Sequence, residues 1–262
     1  MRILFIGDIV GKPGRDIVCR AVGPLREKER LDFIIANAEN SAGGSGLTQA
    51  NYRELTAAGV DGITLGDHIY RRKEIEKILT TKDNIVKPAN YPAGAPGKTW
   101  TVLTTASGTK IAIFSLMGRV FMKPVDCPFL AADRVLSELP SDVKVIFVDM
   151  HAEATSDMPL MGRYLDGRVS AVLGTHTHVP TADAQIFAGG TAFQCDVGMT
   201  GPYDSILGRR IDRVTQATVT FLPTPFDVAK GDVRLSGSMV DIDEAPGNAT
   251  AITPVTLNAG DV

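Results

Sequence analysis

The chain has 262 residues, 44% hydrophobic and 22% charged, an ordinary balance for a globular protein with a sizeable core. A net charge of −3 argues against broad binding to nucleic-acid backbones, though not against a small phosphorylated substrate. Three separated cysteines, Cys19, Cys127 and Cys195, lack CxxC spacing, which points away from a disulfide framework or zinc ribbon and toward reduced, buried thiols in a cytoplasm.

The apolar start, Ile3 to Ile6, reads as a buried strand stopped by Gly7-Asp8, too short for a signal peptide. A helix is expected from about Arg15 to Arg30, then a strand over Phe33–Ala36 that ends at Asn37-Ala-Glu-Asn40. The loop Ser41 to Gly46 leads to a helix from Thr48 to about Ala58, and a third apolar run, Gly62 to Leu65, ends at Gly66-Asp67-His68. Strand followed by helix, repeated, predicts parallel βαβ units. Arg71 to Leu79 reads as a helix and Pro88 to Gly97 as a rigid loop. Trp100–Thr105 and Lys110–Leu116 form an expected hairpin, and Phe129–Leu139 a helix. Val143 to Val148 is a strand ending at Asp149-Met150-His151, and Thr155 to Asp166 a helix. The strand Val169–Leu173 then leads into Gly174-Thr-His-Thr-His178. Ala192–Cys195, Val214–Phe221 and Val233–Ile242 read as antiparallel strands, and the tail, about 243–262, as irregular. No run approaches 18 apolar residues, so no membrane span is expected, and no linker divides the 262 residues into more than one domain.

Five apolar runs end in side chains able to bind metal: Asp8, Glu39 with Asn40, Asp67 with His68, His151, and His176 with His178. All four histidines of the chain stand at such ends, where open α/β sheets bind their ligands. In extended backbone, His176 and His178 would point to one side. Carboxylates, an amide and imidazoles without thiolate suit Mn2+, Fe2+ or Zn2+. The donors outnumber the needs of one tetrahedral ion and suit a pair roughly 3.5–4 Å apart, an arrangement used in displacement at phosphorus.

The order Gly7-Asp8, Glu39-Asn40, Gly66-Asp67-His68, His151, Gly174-x-His176-x-His178 resembles the calcineurin-like metallophosphoesterases. It is most similar to their YmdB-like branch of bacterial phosphodiesterases. The resemblance rests on Gly7-Asp-Ile-Val-Gly-x-Pro-Gly14, Asn37-Ala-Glu-Asn-Ser-Ala-Gly-Gly44, Pro88-Ala-Asn-Tyr-Pro92, Met117-Gly-Arg-Val-Phe121, His151-Ala-Glu-Ala-Thr155, Gly174 to Asp183, and Asp196-Val-Gly-Met-Thr-Gly-Pro-Tyr203. It implies an α/β four-layer αββα sandwich with mixed sheets and a pair of iron or manganese ions, zinc being compatible. The implied activity is hydrolysis of cyclic nucleotides, with 2',3'-cyclic nucleotides favoured. By the same resemblance, Asp8, Glu39, Asn40 and His178 hold one metal. Glu39 bridges to a second, held by Asp67, His151 and His176. His68 is the acid–base residue beside the phosphate while a hydroxide shared by the metals attacks phosphorus. A homo-oligomer in the cytoplasm, without membrane or bulk nucleic-acid partners, is expected.

Three residues depart from the wider pattern. Val10 stands where the superfamily has a histidine ligand, with Asn40 expected to compensate; Glu39 replaces the bridging aspartate; Asp67 replaces the branch's asparagine. The added charge of Asp67 should tighten metal binding, reduce Lewis acidity and disfavour a phosphate dianion relative to a diester monoanion. Two rival readings stand beside the phosphodiesterase. An amidohydrolase also uses His-x-His, but at the end of its first barrel strand rather than two-thirds along the chain. A regulator that binds nucleotide or metal and turns over poorly would keep the same fold.

Smaller signals divide between function and bland packing. Gly94 to Thr99 has P-loop residues, but Pro92 stands at the first glycine position and no strand precedes it, so it is expected to be a turn. Ser41 to Gly46 could offer backbone amides to a phosphate or be a flexible connection. Arg119, Phe121 and Met122 could line a nucleotide pocket, though ordinary packing is the simpler expectation. Lys12 and Arg15 are expected to be solvated helix-start charges.

Overall fold

A computed structural model describes residues 1–261. The elements in chain order are β1 (Arg2–Ile6), β2 (Asp8–Ile9), α1 (Gly11–Glu29), β3 (Phe33–Asn37), α2 (Gln49–Ala57), β4 (Gly62–Thr64) and α3 (Ile75–Thr81), a short 3-10 turn at Ile69–Arg71 preceding α3. There follow β5 (Trp100–Thr104), β6 (Lys110–Met117), α4 (Pro128–Glu138), β7 (Val145–His151), α5 (Asp157–Tyr164) and β8 (Ala171–Thr175). The last third carries β9 (Gln185–Ile186), β10 (Ala192–Gln194), β11 (Met199–Asp204), α6 (Ile211–Thr220), β12 (Gly231–Ile242) and β13 (Ala249–Asn258).

Two sheets form. The first runs β2-β11-β12-β1-β3-β4, with β13 on the other edge of β12; the second runs β5-β6-β7-β8-β10-β9. Within the first, β1, β3 and β4 are parallel, as their unbroken apolar runs require, while β12 runs antiparallel to β1. In the second, β6, β7, β8 and β10 are parallel and β5 and β9 are antiparallel edges.

Three apolar layers explain the stacking. Ile17, Val18, Leu55 and Ile78 of the first helices pack on one face of the first sheet. Phe5, Ile35, Ile113 and Phe147 fill the space between the sheets, Phe5 meeting Phe147 at a ring separation of 5.2 Å. Val135 and Met161 of α4 and α5 cover the outer face of the second sheet. The layers are thus α, β, β, α, as the family resemblance implies. Each fully buried Phe or Ile contributes about 1.5–3 kcal/mol by leaving water, so the double-sided β1 and β7 anchor the framework.

Four expectations are corrected. Val214–Phe221 lies largely in a helix, not a strand; Ile211, Val214 and Ala217 recur every three residues, a helical spacing that β-branched propensity masks. Among the described residues the tail is not irregular, because β13 pairs with β12 from Ala249 to Asn258; residue 262 lies outside the described residues. Pro254 is tolerated there because β13 is an edge strand. Finally, β10 pairs parallel with β8, and α1 begins at Gly11 rather than Arg15. Of the cysteines only Cys195 is buried; Cys19 is exposed and Cys127 half-buried, all three as free thiols. No helix among the described residues is long and apolar enough to cross a membrane.

Candidate metal centre

The carboxyl ends of the parallel strands of both sheets open on one crest. Asp8 follows β1 across Gly7, Glu39 and Asn40 follow β3, Asp67 and His68 follow β4, His151 ends β7, and His176 and His178 follow β8. The structure brings all eight together, and one cavity is lined by Asn40, His68, His176 and His178 with Leu207 and Phe226.

Glu39, Asp67, His151 and His176 offer ligand atoms that all lie within 4.8 Å of one another. His151 Nε2 is 3.2 Å from Glu39 Oε1, 3.5 Å from Asp67 Oδ1 and 3.0 Å from His176 Nδ1. Beside this set, Asn40 Nδ2 lies 3.3 Å from both Asp8 Oδ1 and His178 Nε2, and 3.4 Å from Glu39 Oε1. His178 Nε2 is 3.8 Å from Asp8 Oδ1. Glu39 therefore stands between two groups of donors. His68 Nδ1 is 2.7 Å from Asn40 Oδ1 and 3.4 Å from Glu39 Oε1.

The residues fit a cation. Asp67 Oδ1 is buried without a hydrogen-bond partner; its approach to His151 is ionic, at the outer limit of hydrogen-bonding distance. Leaving such an anion unbonded is costly unless positive charge balances it. Three carboxylates, an amide and three imidazoles without sulfur form a donor set for divalent ions of hard to borderline character.

Electrostatics follow from this crowding. Burial would raise the pKa of Glu39, but the charge and hydrogen bonds of His151 and His68 outweigh it and hold Glu39 well below the usual range. Asp67 is lowered too, with burial opposed by His151. Burial opposes the charge of His151, yet Glu39 and Asp67 raise its pKa well above 6.5. The hydrogen bond to Glu39 raises His68. His176, buried beside His151, is lowered.

Each imidazole is aimed by a partner behind it. Thr175 Oγ1 donates its single proton to Asp149 Oδ1 at 2.6 Å, so at 2.8 Å it must accept from His151 Nδ1, which makes Nε2 the nitrogen that faces the site and would free a lone pair there on losing its proton. Asp149 also accepts from Thr64 Oγ1 at 2.5 Å and Asn37 Nδ2 at 3.0 Å. Burial pushes the Asp149 carboxyl up to about 6. Glu153 Oε2 lies 3.1 Å from His176 Nε2, turning Nδ1 inward, and the Leu207 carbonyl oxygen lies 3.1 Å from His178 Nδ1, turning Nε2 inward. Gly66 is required by close approach: a Cβ there would stand 2.2 Å from His151 Cδ2.

The eight side chains singled out in the sequence converge here, but the layer behind them was missed. Glu153 was within reach, two residues past His151 in a quoted motif. Thr175 and Asn37 also stand inside quoted motifs, whereas Asp149 and Thr64 lie in or beside apolar runs and give no local signal. The extended-backbone argument for His176 and His178 needs correction, since both take left-handed φ values, 102° and 65°. Such strain costs about 1–3 kcal/mol each. It is held by Asp8 Oδ2 accepting from His176 N at 2.9 Å, and by Asp196 accepting from Thr177 N and Oγ1 at 2.9 and 2.8 Å.

The loop Ser41–Gly46 is neither flexible nor a free amide cradle. The amides of Ala42, Gly43, Ser45 and Gly46 bond within the loop and to Glu39. Its carbonyls are held by Arg15, Arg72 and Arg209. Arg15, expected to be solvated, is instead half-buried against Glu54 and Ser41, whereas Lys12 is an exposed partner of Asp16. Phe121 is 89% exposed and lines no part of the cavity, whose apolar wall is Ile206, Leu207 and Phe226.

Comparison with known proteins accords with this architecture. The chain is 48% identical over 258 residues to a 2',3'-cyclic-nucleotide 2'-phosphodiesterase of Bacillus subtilis (strain 168), covering 98% of this chain and 97% of the relative. A crystal structure of a hypothetical protein from Thermus thermophilus superposes with a TM-score of 0.92 at 43% identity, over 98% of this chain and 99% of the other. A Mycoplasma pneumoniae structure described as a novel phosphatase has a TM-score of 0.92 at 30% identity, over 98% and 93%. A family model described as YmdB-like protein matches residues 4–255, and with alignment this complete the chain belongs to the YmdB-like family.

Proposed function

We propose that the chain is a metal-dependent phosphodiesterase whose substrates are cyclic nucleotides, with 2',3'-cyclic nucleotides favoured. One ion would be held by Glu39, Asp67, His151 and His176, and a second by Asp8, Asn40 and His178 sharing Glu39. Iron or manganese is the favoured pair, with zinc compatible with the same donors. The bound ions would supply Lewis-acid neutralisation of phosphate charge and a lowered pKa for water. The name of the Bacillus subtilis relative supports the substrate class.

The observation that carries the proposal is Asp67 Oδ1, buried and without a hydrogen bond inside a ring of inward-aimed imidazoles. In the reaction a water oxygen joins phosphorus, one ribose oxygen–phosphorus bond breaks, and that oxygen takes the electron pair and a proton. His68 is the proton donor, from Nε2: its ring borders the cavity with His176 and His178, while its Nδ1 faces Asn40 Oδ1 and Glu39 Oε1. Ile206, Leu207 and Phe226 supply an apolar wall for the nucleoside. Arg209 is spent on loop carbonyls and fixes that wall rather than the phosphate. The same proposal includes a single domain over residues 1–262, residence in the cytoplasm and a homo-oligomeric state.

A panel of 2',3'-cyclic, 3',5'-cyclic and linear phosphodiesters, run with Fe2+, Mn2+ and Zn2+ beside elemental analysis, tests the function. Turnover with two ions per chain is expected. His68→Ala should retain metal and lose roughly 10²–10⁴ in rate, while His176→Ala should lose metal. Full metal loading without turnover of any diester would refute the reading.

A further inference from the structure

A cavity of about 920 Å³ is bounded by the Pro88–Gly97 loop, β5 and α4. It shares no lining residue with the histidine cavity and falls within the range of ligand pockets, roughly 300–1,000 Å³. Two cations face it. Lys87 is only 2% exposed, and its ammonium donates to the Ala95 carbonyl at 2.5 Å and, at 3.5 Å, to that of Pro92. Arg134 spends one nitrogen on the Ala89 carbonyl at 2.7 Å. Among the described residues neither pairs with a carboxylate. A buried ammonium without an anion is expensive. Burial and the nearby Arg134 indeed lower the pKa of Lys87, a strain that an anion between the two would relieve.

The rest of the lining sharpens the chemistry. Lys98 is tied to Asp83, so these two charges cancel. Asp126 at the rim leaves the lining with a net positive charge. Trp100 lines one wall, its indole fixed by donation from Nε1 to Glu138 Oε2 at 3.0 Å, and Tyr91 lines the cavity as well. Two cations for a phosphate and two aromatic rings for a planar heterocycle are the elements that recognise a nucleotide.

We propose that this cavity is a second ligand site, separate from the histidine centre, that binds a nucleoside monophosphate, with Lys87 and Arg134 on the phosphate and Trp100 and Tyr91 against the base. The site stands on its own geometry and does not depend on the proposed reaction.

Trp100 is the only tryptophan of the chain and reports directly on the cavity. Adenosine 5'-monophosphate titrated into the metal-loaded protein should quench its fluorescence saturably, and adenosine should not. Arg134→Gln should weaken binding at least about tenfold, the loss expected for a charge-assisted hydrogen bond. His176→Ala at the other site should leave the quench unchanged. A second variant, Val102→Glu, sets a carboxylate in the cavity wall and should also abolish the quench, so failure of either variant to fold leaves the test intact. Absence of saturable quenching at millimolar nucleotide would overturn the proposal. So would equal quenching by adenosine, persistence of full binding in the folded cavity variants, or loss of binding in His176→Ala.

Discussion

Thr175→Val tests whether the layer behind the histidines tunes the centre or merely supports the fold. Thr175 is fully buried, and valine matches its shape without the hydroxyl. The change removes the 2.6 Å bond to Asp149, one of three donors on that carboxylate, and leaves the His151 Nδ1 proton without its acceptor at 2.8 Å. A hydrogen bond to a charged group contributes about 1.5–3 kcal/mol, and a buried donor left unpaired costs about 1–3 kcal/mol. The expected loss of stability is therefore about 2.5–6 kcal/mol, or roughly 5–24 °C in melting temperature for a chain of this size. Freed from Thr175, the His151 ring can rotate or exchange its proton to Nε2, and metal affinity should fall about 10–100-fold. Calorimetric titration of Mn2+ and a thermal melt of each variant measure the two effects. Thr175→Ser keeps the hydroxyl and should restore affinity. A Thr175→Val protein that melts lower but binds Mn2+ like the wild type would show that the hydroxyl is structural and that the tautomer argument is wrong.

Asp67→Asn removes the unbonded anion; Mn2+ affinity should drop about tenfold while the rate on phosphomonoesters rises relative to diesters, and tighter binding would contradict the charge argument. Gly66→Ala sets a Cβ 2.2 Å from His151 Cδ2, so metal content by elemental analysis should fall well below that of the wild type, and a fully loaded variant would refute the fit. The metal-free protein should respond to pH in two directions. The raised pKa of His151 contributes stability that is complete below 6.5 and lost as pH climbs through the raised value; the depressed pKa of Glu39 contributes stability above 4.5 that is lost as pH falls through the lowered one. Melting temperature without metal should thus decline as pH rises above 6.5 through the raised pKa of His151, while Mn2+ affinity climbs because binding displaces the His151 proton; affinity flat across that rise would mean His151 is already neutral.

The inner donors were legible because buried parallel strands are unbroken apolar runs whose ends are abrupt. Ile3–Ile6, Phe33–Ala36 and Gly62–Leu65 each stop at a metal-competent residue, and parallel pairing puts those stops on one crest. The outer layer was not legible. Asp149 sits within β7 and reads as an interruption of an apolar run; only the register pairing Asp149 with Leu173, and His151 with Thr175, reveals that its carboxylate supports the site. The late strands failed differently. Val214 to Phe221 carries five β-branched residues, Val214, Thr215, Thr218, Val219 and Thr220, which favour a strand reading, and α6 buries none of its residues, so no core contact countered that propensity in the sequence. In β13 the small residues and Pro254 hid an edge strand that is satisfied by pairing along one side.

Asn40 carries a conflict that the centre must resolve, since its amide has one oxygen and two groups that need it. With Oδ1 accepting from His68 Nδ1 at 2.7 Å, the amide nitrogen faces Asp8, Glu39 and His178, and an NH2 group cannot ligate a cation. A half-turn of the amide presents Oδ1 to those donors and Nδ2 to His68. His68 must then accept at Nδ1 and keep its proton on Nε2. Ligation by Asn40 and placement of the His68 proton are therefore one structural choice. Asn40→Asp separates them, because two oxygens serve both sides at once: metal should be retained, and His68 should keep a proton on Nδ1 as well. Asn40→Leu serves neither and should lose the ion near His178. Nitrogen-15 spectra of the imidazoles in the diamagnetic Zn2+ form distinguish the cases, with His68 protonated on Nε2 alone in the wild type and on both nitrogens in Asn40→Asp. Identical His68 spectra in the two proteins would show that the amide does not turn, and that Asn40 acts through His68 rather than on the metal.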